Sequence, residues 1–307
     1  MTLPIRKLET LFAEKLQRNV QISNYTTSRT GGMVLGLIPV NTLDELRRTA
    51  QSLWEIEMPF RMLGSGSNML ISDKGWDGVM VLNRCHNIKI HSAEENPTVY
   101  AESGANLGAM ARQCSLRGIG GLEWANSIPG SVGGAVYGNA GAHSSDIAHD
   151  LQSALVLLKD KGEYAMMADD LGYAYRSSFL KREHTPAVIL AATFNASHSS
   201  REASVAKMNT FTNRRLATQP QGASTGSTFK NPEGDYAGRL IEAAGLKGTR
   251  SGHAQISPLH ANFIVNDGQA NAQDYYRLIR LMQEKVYAQS CINLELEIEL
   301  LGEFEND

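Results

Sequence analysis

Cysteine is scarce in this chain of 307 residues, occurring only at Cys85, Cys114 and Cys291. An odd, widely spaced set of three makes no disulfide framework, and its spacing is unlike that of zinc ligands. It reads as a set of reduced thiols in a cytoplasmic protein. Long apolar runs are also missing. No stretch approaches the ~18 consecutive apolar residues of a spanning helix, so no membrane insertion is expected. Met1 to Leu11 carries Arg6, Lys7 and Glu9 with no apolar run behind the basic residues, which is not an ordinary secretory signal. Neither sign of charge is in excess. The net value is -3, so no broad basic surface points to DNA or RNA. The histidines do not gather as metal ligands. His86 and His91 are five apart and His143 and His149 six apart, without a cysteine or acid in ligand spacing, and no metal is expected. No G-x-S-x-G elbow is set between strand and helix, which disfavours a Ser-His-Asp hydrolase. No fixed repeat is visible, so the chain is not a solenoid.

What is present fits an ordinary globular protein, with 42% hydrophobic and 20% charged residues over a length that suggests two or three domains. Phe60–Leu63, Gly78–Leu82 and Thr98–Glu102 read as short buried strands. Asn41 or Thr42 caps a helix, and the alanine-rich Leu107–Leu116 reads as another. Strands alternating with helices predict α/β structure in the first third. The middle is richer in strands. Leu155–Leu158 and Tyr164–Met167 flank a turn at Asp160-Lys161-Gly162, and Ala187–Phe194 predicts a buried strand. Ser197–Ser200 is a polar break and a candidate boundary. Beyond it, helices are predicted over Arg201–Leu216, over Asp235–Ala244 closed by Gly245, and over Asn271–Gln289 capped by Asn271. Leu294, Leu296, Ile298 and Leu300 alternate with Glu295, Glu297 and Glu299, as in a half-buried strand with its carboxylates on one face.

Glycine is concentrated between Gly64 and Gly141, and two stretches there carry candidate chemistry. Gly64-Ser65-Gly66-Ser67-Asn68 follows a strand. It is either a backbone nest for a phosphate or a tight turn with small polar residues. It is not the dinucleotide fingerprint, because no G-x-G-x-x-G opens a helix. Ser127–Gly141 is small enough for a flat ring to lie on its backbone, or else it is a closely packed crossover. Tyr175-Arg176-Ser177-Ser178 sets a fixed cation beside two hydroxyls, and a guanidinium grips a carboxylate with a planar fork. Gly226-Ser227-Thr228-Phe229-Lys230-Asn231-Pro232 places a hydroxyl after a glycine in a run rich in turn formers. A serine is a poor acid, able to donate only where a strongly basic carbanion or enolate forms beside it. Periodicity does not choose among Glu295, Glu297 and Glu299.

These motifs, in this order, resemble those of the UDP-N-acetylenolpyruvoylglucosamine reductases, flavoenzymes that complete muramic acid for bacterial cell walls. The resemblance begins near Asn24-Tyr25-Thr26-Thr27 and Gly31-Gly32. It takes in Ile128-Pro129-Gly130-Ser131, Arg215 to Pro220, Leu240-Ile241-Glu242 and His260-Ala261-Asn262-Phe263, and ends near Gly302. The chain departs from the usual pattern at Ser127, Gly138, His143 and Ser144. Arg176 and Ser227 are 51 positions apart, as in the shorter type that lacks an inserted tyrosine loop. The resemblance implies α/β and α+β structure. It implies an FAD-binding fold of the vanillyl-alcohol oxidase type in two subdomains (1–85 and 86–196), and an α+β substrate-binding domain (200–307). FAD would be the cofactor and NADPH the co-substrate. Gly64, Ser65, Gly66, Ser67 and Asn68 would hold the FAD pyrophosphate. Ile128, Pro129, Gly130, Ser131, Gly133, Gly134, Asn139, Ala140 and Gly141 would hold the rest of FAD. Arg176, Ser227 and Glu297 would be catalytic, the last chosen by the family pattern Leu-Glu-x-Glu-Ile-x-x-Leu-Gly. Tyr175, Arg215, Lys230 and Asn231 would bind the UDP-sugar. Two other readings are a flavin-binding module without catalysis and an FAD oxidase of the wider group. The intact Arg176, Ser227 and Glu297 argue against the first and the Ser227 segment against the second.

Overall fold

The computed structural model of the protein describes residues 3–305. By compactness the chain divides into two units, and both are discontinuous. The first runs up to Gln17, then takes in Leu37–Gly64 and Val79–Arg214. The second takes in Arg18–Gly36, Ser65–Gly78 and the chain from Arg215 onward. The second unit recruits two early segments, and one division falls inside the helix Arg201–Thr218. No described helix is long and apolar enough to cross a membrane.

The first unit is built on a five-stranded antiparallel sheet in the order Gly162–Met167, Leu151–Leu158, Ala187–Asn195, Thr98–Glu102, Ile88–His91. The central strand Ala187–Asn195 is buried along most of its length, which is why it reads as a continuous apolar run. The expected hairpin is present. Leu158 pairs with Gly162, and Asp160 takes the left-handed turn conformation with φ 63°. Leu107–Leu116 is helical as expected, with Asn106 Oδ1 accepting from the Ala109 N–H at 2.8 Å. Its buried Leu107, Met110, Ala111 and Cys114 fall on one helical face. They join Val99, Trp124, Val136 and Phe194 in one apolar core. Phe60–Leu63 pairs in parallel with the end of Trp76–Asn83, Phe60 opposite Val79. The break at 197–200 contains a two-residue strand, Ser197–His198, paired with Ile119–Gly120.

The second unit carries a four-stranded antiparallel sheet in the order Ala223–Ser227, Phe263–Asn266, Ala254–Ile256, Arg250–Ser251. The helix Ala272–Ser290 opens with a capping box between Asn271 and Asp274. It buries Tyr275, Leu278, Ile279, Met282 and Val286 in a core shared with Phe229, Ile241 and Ile264. The helix Ala237–Ala243 ends in a Schellman motif. Gly245 has φ 73°, its N–H donates to Glu242 O, and the Leu246 N–H donates to Ile241 O. The C-terminal strand is shorter than its alternation suggests. Only Glu299–Leu301 is regular, parallel to Met69–Ile71, and Leu296 makes an isolated bridge to Phe229.

Candidate functional site

In the first unit the glycine-rich segment turns through Gly130 into the helix Val132–Gly138, capped by the Ser131 hydroxyl accepting from the Gly134 N–H. The helix start is packed tightly. The Val132 N–H donates to Ala105 O and the Gly133 N–H to Ser103 O, each at 2.8 Å. Gly64 lies against this turn, and a Cβ there would sit 2.3 Å from Ser131 Oγ. The opposite situation holds at Gly134 and Gly138. A Cβ on Gly138 would meet no atom within 4 Å, and one on Gly134 would meet only Ser131 Oγ at 3.6 Å. Four apart on one helix, these glycines leave a helix face without side chains. A bare backbone face suits a planar ring, so the segment fits an isoalloxazine by shape.

Asn139 ends the helix in the left-handed conformation and is 3% exposed. Its Nδ2 donates to Asp146 Oδ2 and Ala174 O, and its Oδ1 accepts from the Ala148 N–H. The side chain is thus used inside the protein. Arg176 sits in a tight turn with φ 55°. Its Nη2 donates to Gly141 O at 2.6 Å and its Nη1 to Asn139 O at 3.4 Å. These bonds hold the cation against the end of the glycine segment. The Tyr175 ring, half exposed, lies 5.3 Å from the guanidinium carbon. His143, one of the departures, stacks on Phe211 at 4.2 Å, and the Ser127 hydroxyl is buried with no hydrogen-bond partner.

In the second unit the loop Ser65–Asn68 approaches another turn. Gly66 has φ 60°, and a Cβ on it would lie 2.1 Å from Tyr25 O. No side chain larger than hydrogen fits there. The Asn68 Nδ2 donates to Glu297 O at 3.1 Å and the Glu299 N–H to Asn68 O at 2.9 Å. The Asn68 side-chain amide thus bonds the segment that carries Glu297.

Ser227 closes the strand Ala223–Ser227 opposite Phe263, after a register shift at Thr225-Gly226. It is half-buried, whereas Thr225 and Thr228 are 2% and 0% exposed, with buried hydroxyls that have no partner. Of the three neighbouring hydroxyl residues, Ser227 is the one open to solvent. Asn262 fixes the next residues. Its Oδ1 accepts from the Phe229 N–H, its Nδ2 donates to Phe229 O, and its carbonyl accepts from the Thr228 N–H. The chain from 228 to 230 runs beside 295 to 297, with the Glu297 N–H donating to Thr228 O and the Lys230 N–H to Glu295 O. Lys230 is ion-paired with Glu295. Asn231 Oδ1 accepts from the Ala237 N–H at the start of the next helix. Arg215 is half-buried, and desolvation pulls its pKa below the usual arginine value. It makes no ion pair among the described residues.

Asn262 was not singled out from its chemistry by sequence reasoning. Its only signal was its place in His260-Ala261-Asn262-Phe263.

Two family models match the chain. Residues 34–166 match the family model described as an FAD binding domain. Residues 219–301 match that of the UDP-N-acetylenolpyruvoylglucosamine reductase C-terminal domain. The UDP-N-acetylenolpyruvoylglucosamine reductase of Chloroflexus aggregans is 39% identical over 289 residues, 93% of this chain and 97% of that protein. The reductase of Caldicellulosiruptor saccharolyticus is 40% identical over 303 residues, 98% of this chain and 96% of that protein. The crystal structure of the UDP-N-acetylenolpyruvylglucosamine reductase from Thermus caldophilus superposes with a TM-score of 0.80 at 34% identity, covering 94% of this chain and 99% of that one. The expected α/β and α+β class with an FAD-binding domain is borne out. The chain belongs to the UDP-N-acetylenolpyruvoylglucosamine reductase family.

Proposed function

We propose that this protein is an FAD-dependent enzyme that uses NADPH to reduce UDP-N-acetylglucosamine enolpyruvate to UDP-N-acetylmuramate, in peptidoglycan precursor synthesis. The observation that carries the reading is Arg176, anchored on the carbonyls of Asn139 and Gly141 at the end of a bare-faced glycine helix. Gly64–Asn68 and Ile128–Gly141 would hold FAD, which when bound would supply the hydride, originating in NADPH, for C3 of the enolpyruvyl group. The protein's own groups handle the charge and the proton. As C3 gains hydride, negative charge appears at C2 and spreads into the neighbouring carboxylate. The Arg176 guanidinium stabilises that charge, and its two backbone anchors hold it in place in advance. Ser227 donates its proton to C2, giving the D-lactyl ether. Glu297 polarises the same carboxylate by sharing a proton or through water, because a bare anion there would oppose the reaction. Arg215 receives the diphosphate, and Lys230, Asn231 and Tyr175 complete the UDP-sugar contacts. Residues 1–85 and 86–196 bind FAD, and 200–307 bind the sugar nucleotide. The free thiols at Cys85, Cys114 and Cys291 support a cytoplasmic setting.

The test is anaerobic turnover. NADPH should be consumed in step with a product that carries two more hydrogens than the enolpyruvyl substrate. NADPH oxidation that requires oxygen and leaves the enol ether intact would favour the oxidase reading instead.

A further inference from the structure

The turn Tyr25–Thr30 has no part in the chemistry above, yet it joins two pieces of the site within the second unit. The Thr27 N–H donates to Gly66 O at 3.1 Å. Its carbonyl accepts from the Ser224 N–H at 3.2 Å, and its hydroxyl donates to Ser224 O at 2.7 Å. The hydroxyl has one proton, and Gly66 O at 3.4 Å is the poorer acceptor, so the side chain serves Ser224. One residue therefore bonds the cofactor loop on one side and the strand of Ser227 on the other.

The turn is braced against deformation. Thr26, Ser28 and Thr30 are 7%, 0% and 2% exposed. Thr26 Oγ1 donates to Thr30 O at 2.9 Å, and the Ser28 and Thr30 hydroxyls lie 2.9 Å apart. Asn266 Nδ2 adds a bond to Ser28 O at 2.9 Å. Such a turn transmits position and does not absorb it. The strand needs this support, because its regular pairing lapses between Ser224 and Ser227. Ser224 is the last residue before that lapse paired on both sides, to Val265 and to Thr27.

We propose that Thr27 is a positioning residue that sets the Ser227 hydroxyl relative to the cofactor loop Ser65–Asn68. The proposal rests on the reading of Ser227 as proton donor. In this role Thr27 acts through Ser224 and not on the reacting atoms. Its hydroxyl bond to Ser224 fixes where the strand leaves its regular pairing, three residues before the donor. A shift of even a fraction of an ångström at a proton donor is costly, since misplacement by about 1 Å reduces rates by about 10².

The test uses the FAD-bound enzyme with Thr27→Val, which keeps the shape and both backbone bonds but removes the hydroxyl, and Thr27→Ser, which restores it. Under anaerobic stopped flow, Thr27→Val should leave flavin reduction by NADPH within about twofold and slow reoxidation by the enolpyruvyl substrate about tenfold. Thr27→Ser should recover most of that loss. Amide hydrogen exchange over 223–229 should be faster in Thr27→Val than in wild type, with FAD bound in both. Equal losses in both half-reactions, or a serine variant as slow as the valine one, would overturn the proposal. The double variant separates this idea from the donor assignment. In a Ser227→Ala background, Thr27→Val should slow reoxidation no further, and a second full tenfold loss would show that Thr27 does not act through Ser227. If Ser227→Ala alone reoxidises normally, the donor assignment fails. The exchange measurement then still decides whether Thr27 holds the strand.

Discussion

Replacing Arg176 with lysine keeps the charge and removes the fork. In the structure the guanidinium is bonded through Nη2 to Gly141 O and through Nη1 to Asn139 O. A lysine ammonium is a single centre on a flexible stem and cannot span two carbonyls and a ligand carboxylate with the same geometry. The turn itself should survive, because lysine meets the same strain at φ 55° as arginine does. The expected loss is one charge-assisted hydrogen bond to the substrate carboxylate, about 1.5–3 kcal/mol. At about 1.4 kcal/mol per factor of ten, that slows the step in which charge develops roughly 10- to 150-fold. The assay is anaerobic stopped flow on each half-reaction. Flavin reduction by NADPH should stay near the wild-type rate, and reoxidation by the enolpyruvyl substrate should fall in that range. Arg176→Ala is the structural control. It strips the donors from both carbonyls and should lower FAD retention and Tm as well. If Arg176→Lys slows both half-reactions equally, the residue serves the glycine segment and the argument for transition-state stabilisation is wrong.

Four further outcomes are expected. Ser227→Ala should bind and reduce flavin normally but lose about 10²–10⁴ in reoxidation, with partial recovery in Ser227→Cys. Thr228→Val should reoxidise normally and gain up to about 1 kcal/mol of stability in a denaturant melt, because its buried hydroxyl has no partner; a destabilised Thr228→Val would refute that account. His260 is held below the usual histidine pKa first by burial, opposed by a backbone hydrogen bond, with smaller contributions from Lys247 (lowering) and Glu242 (raising), and its Nδ1 accepts from the Asn262 N–H. A depressed folded-state value means its contribution is present above the unfolded pKa of 6.5 and is lost as pH falls through the folded value. The slope of Tm between roughly pH 7 and 5.5 should flatten in His260→Asn, and an unchanged slope would show that another group sets it. Burial pushes the Cys85 and Cys114 thiols up to about 12, while Cys291 is exposed, so a thiol reagent should label Cys291 alone in the native protein and all three in denaturant. Rapid native labelling of Cys114 would contradict the packing of the first unit.

Much of this was legible where local chemistry decides structure. The helix Leu107–Leu116 follows from one apolar stripe and one cap, and the Schellman end at Gly245 follows from a single glycine. Ser197–His198 was not legible, because two exposed polar residues become a strand only through pairing with Ile119–Gly120. The C-terminal alternation overstated its strand for a related reason. Leu296 meets Phe229, while regular pairing with 69–71 begins only at Glu299. The motifs did not give the hydrogen bonds that each side chain makes inside the protein. Asn68 and Asn139 read as cofactor ligands, and within the protein their amides bond Glu297 O, the Asp146 carboxylate, the Ala148 N–H and Ala174 O. Such roles depend on partners distant in sequence, and no local pattern encodes them. The interleaving of the two units has the same origin, since Thr27 and Asn68 find their partners near 224 and 297.

The central claim is that one bound flavin accepts hydride from NADPH and surrenders it to an enolpyruvyl sugar nucleotide. The absorbance spectrum of the purified, oxygen-free protein tests this most directly. Stoichiometric NADPH should bleach the oxidised flavin band, and UDP-N-acetylglucosamine enolpyruvate added next should restore it. A band that stays bleached until air is admitted, or a protein with no flavin band after reconstitution with FAD, would contradict the account.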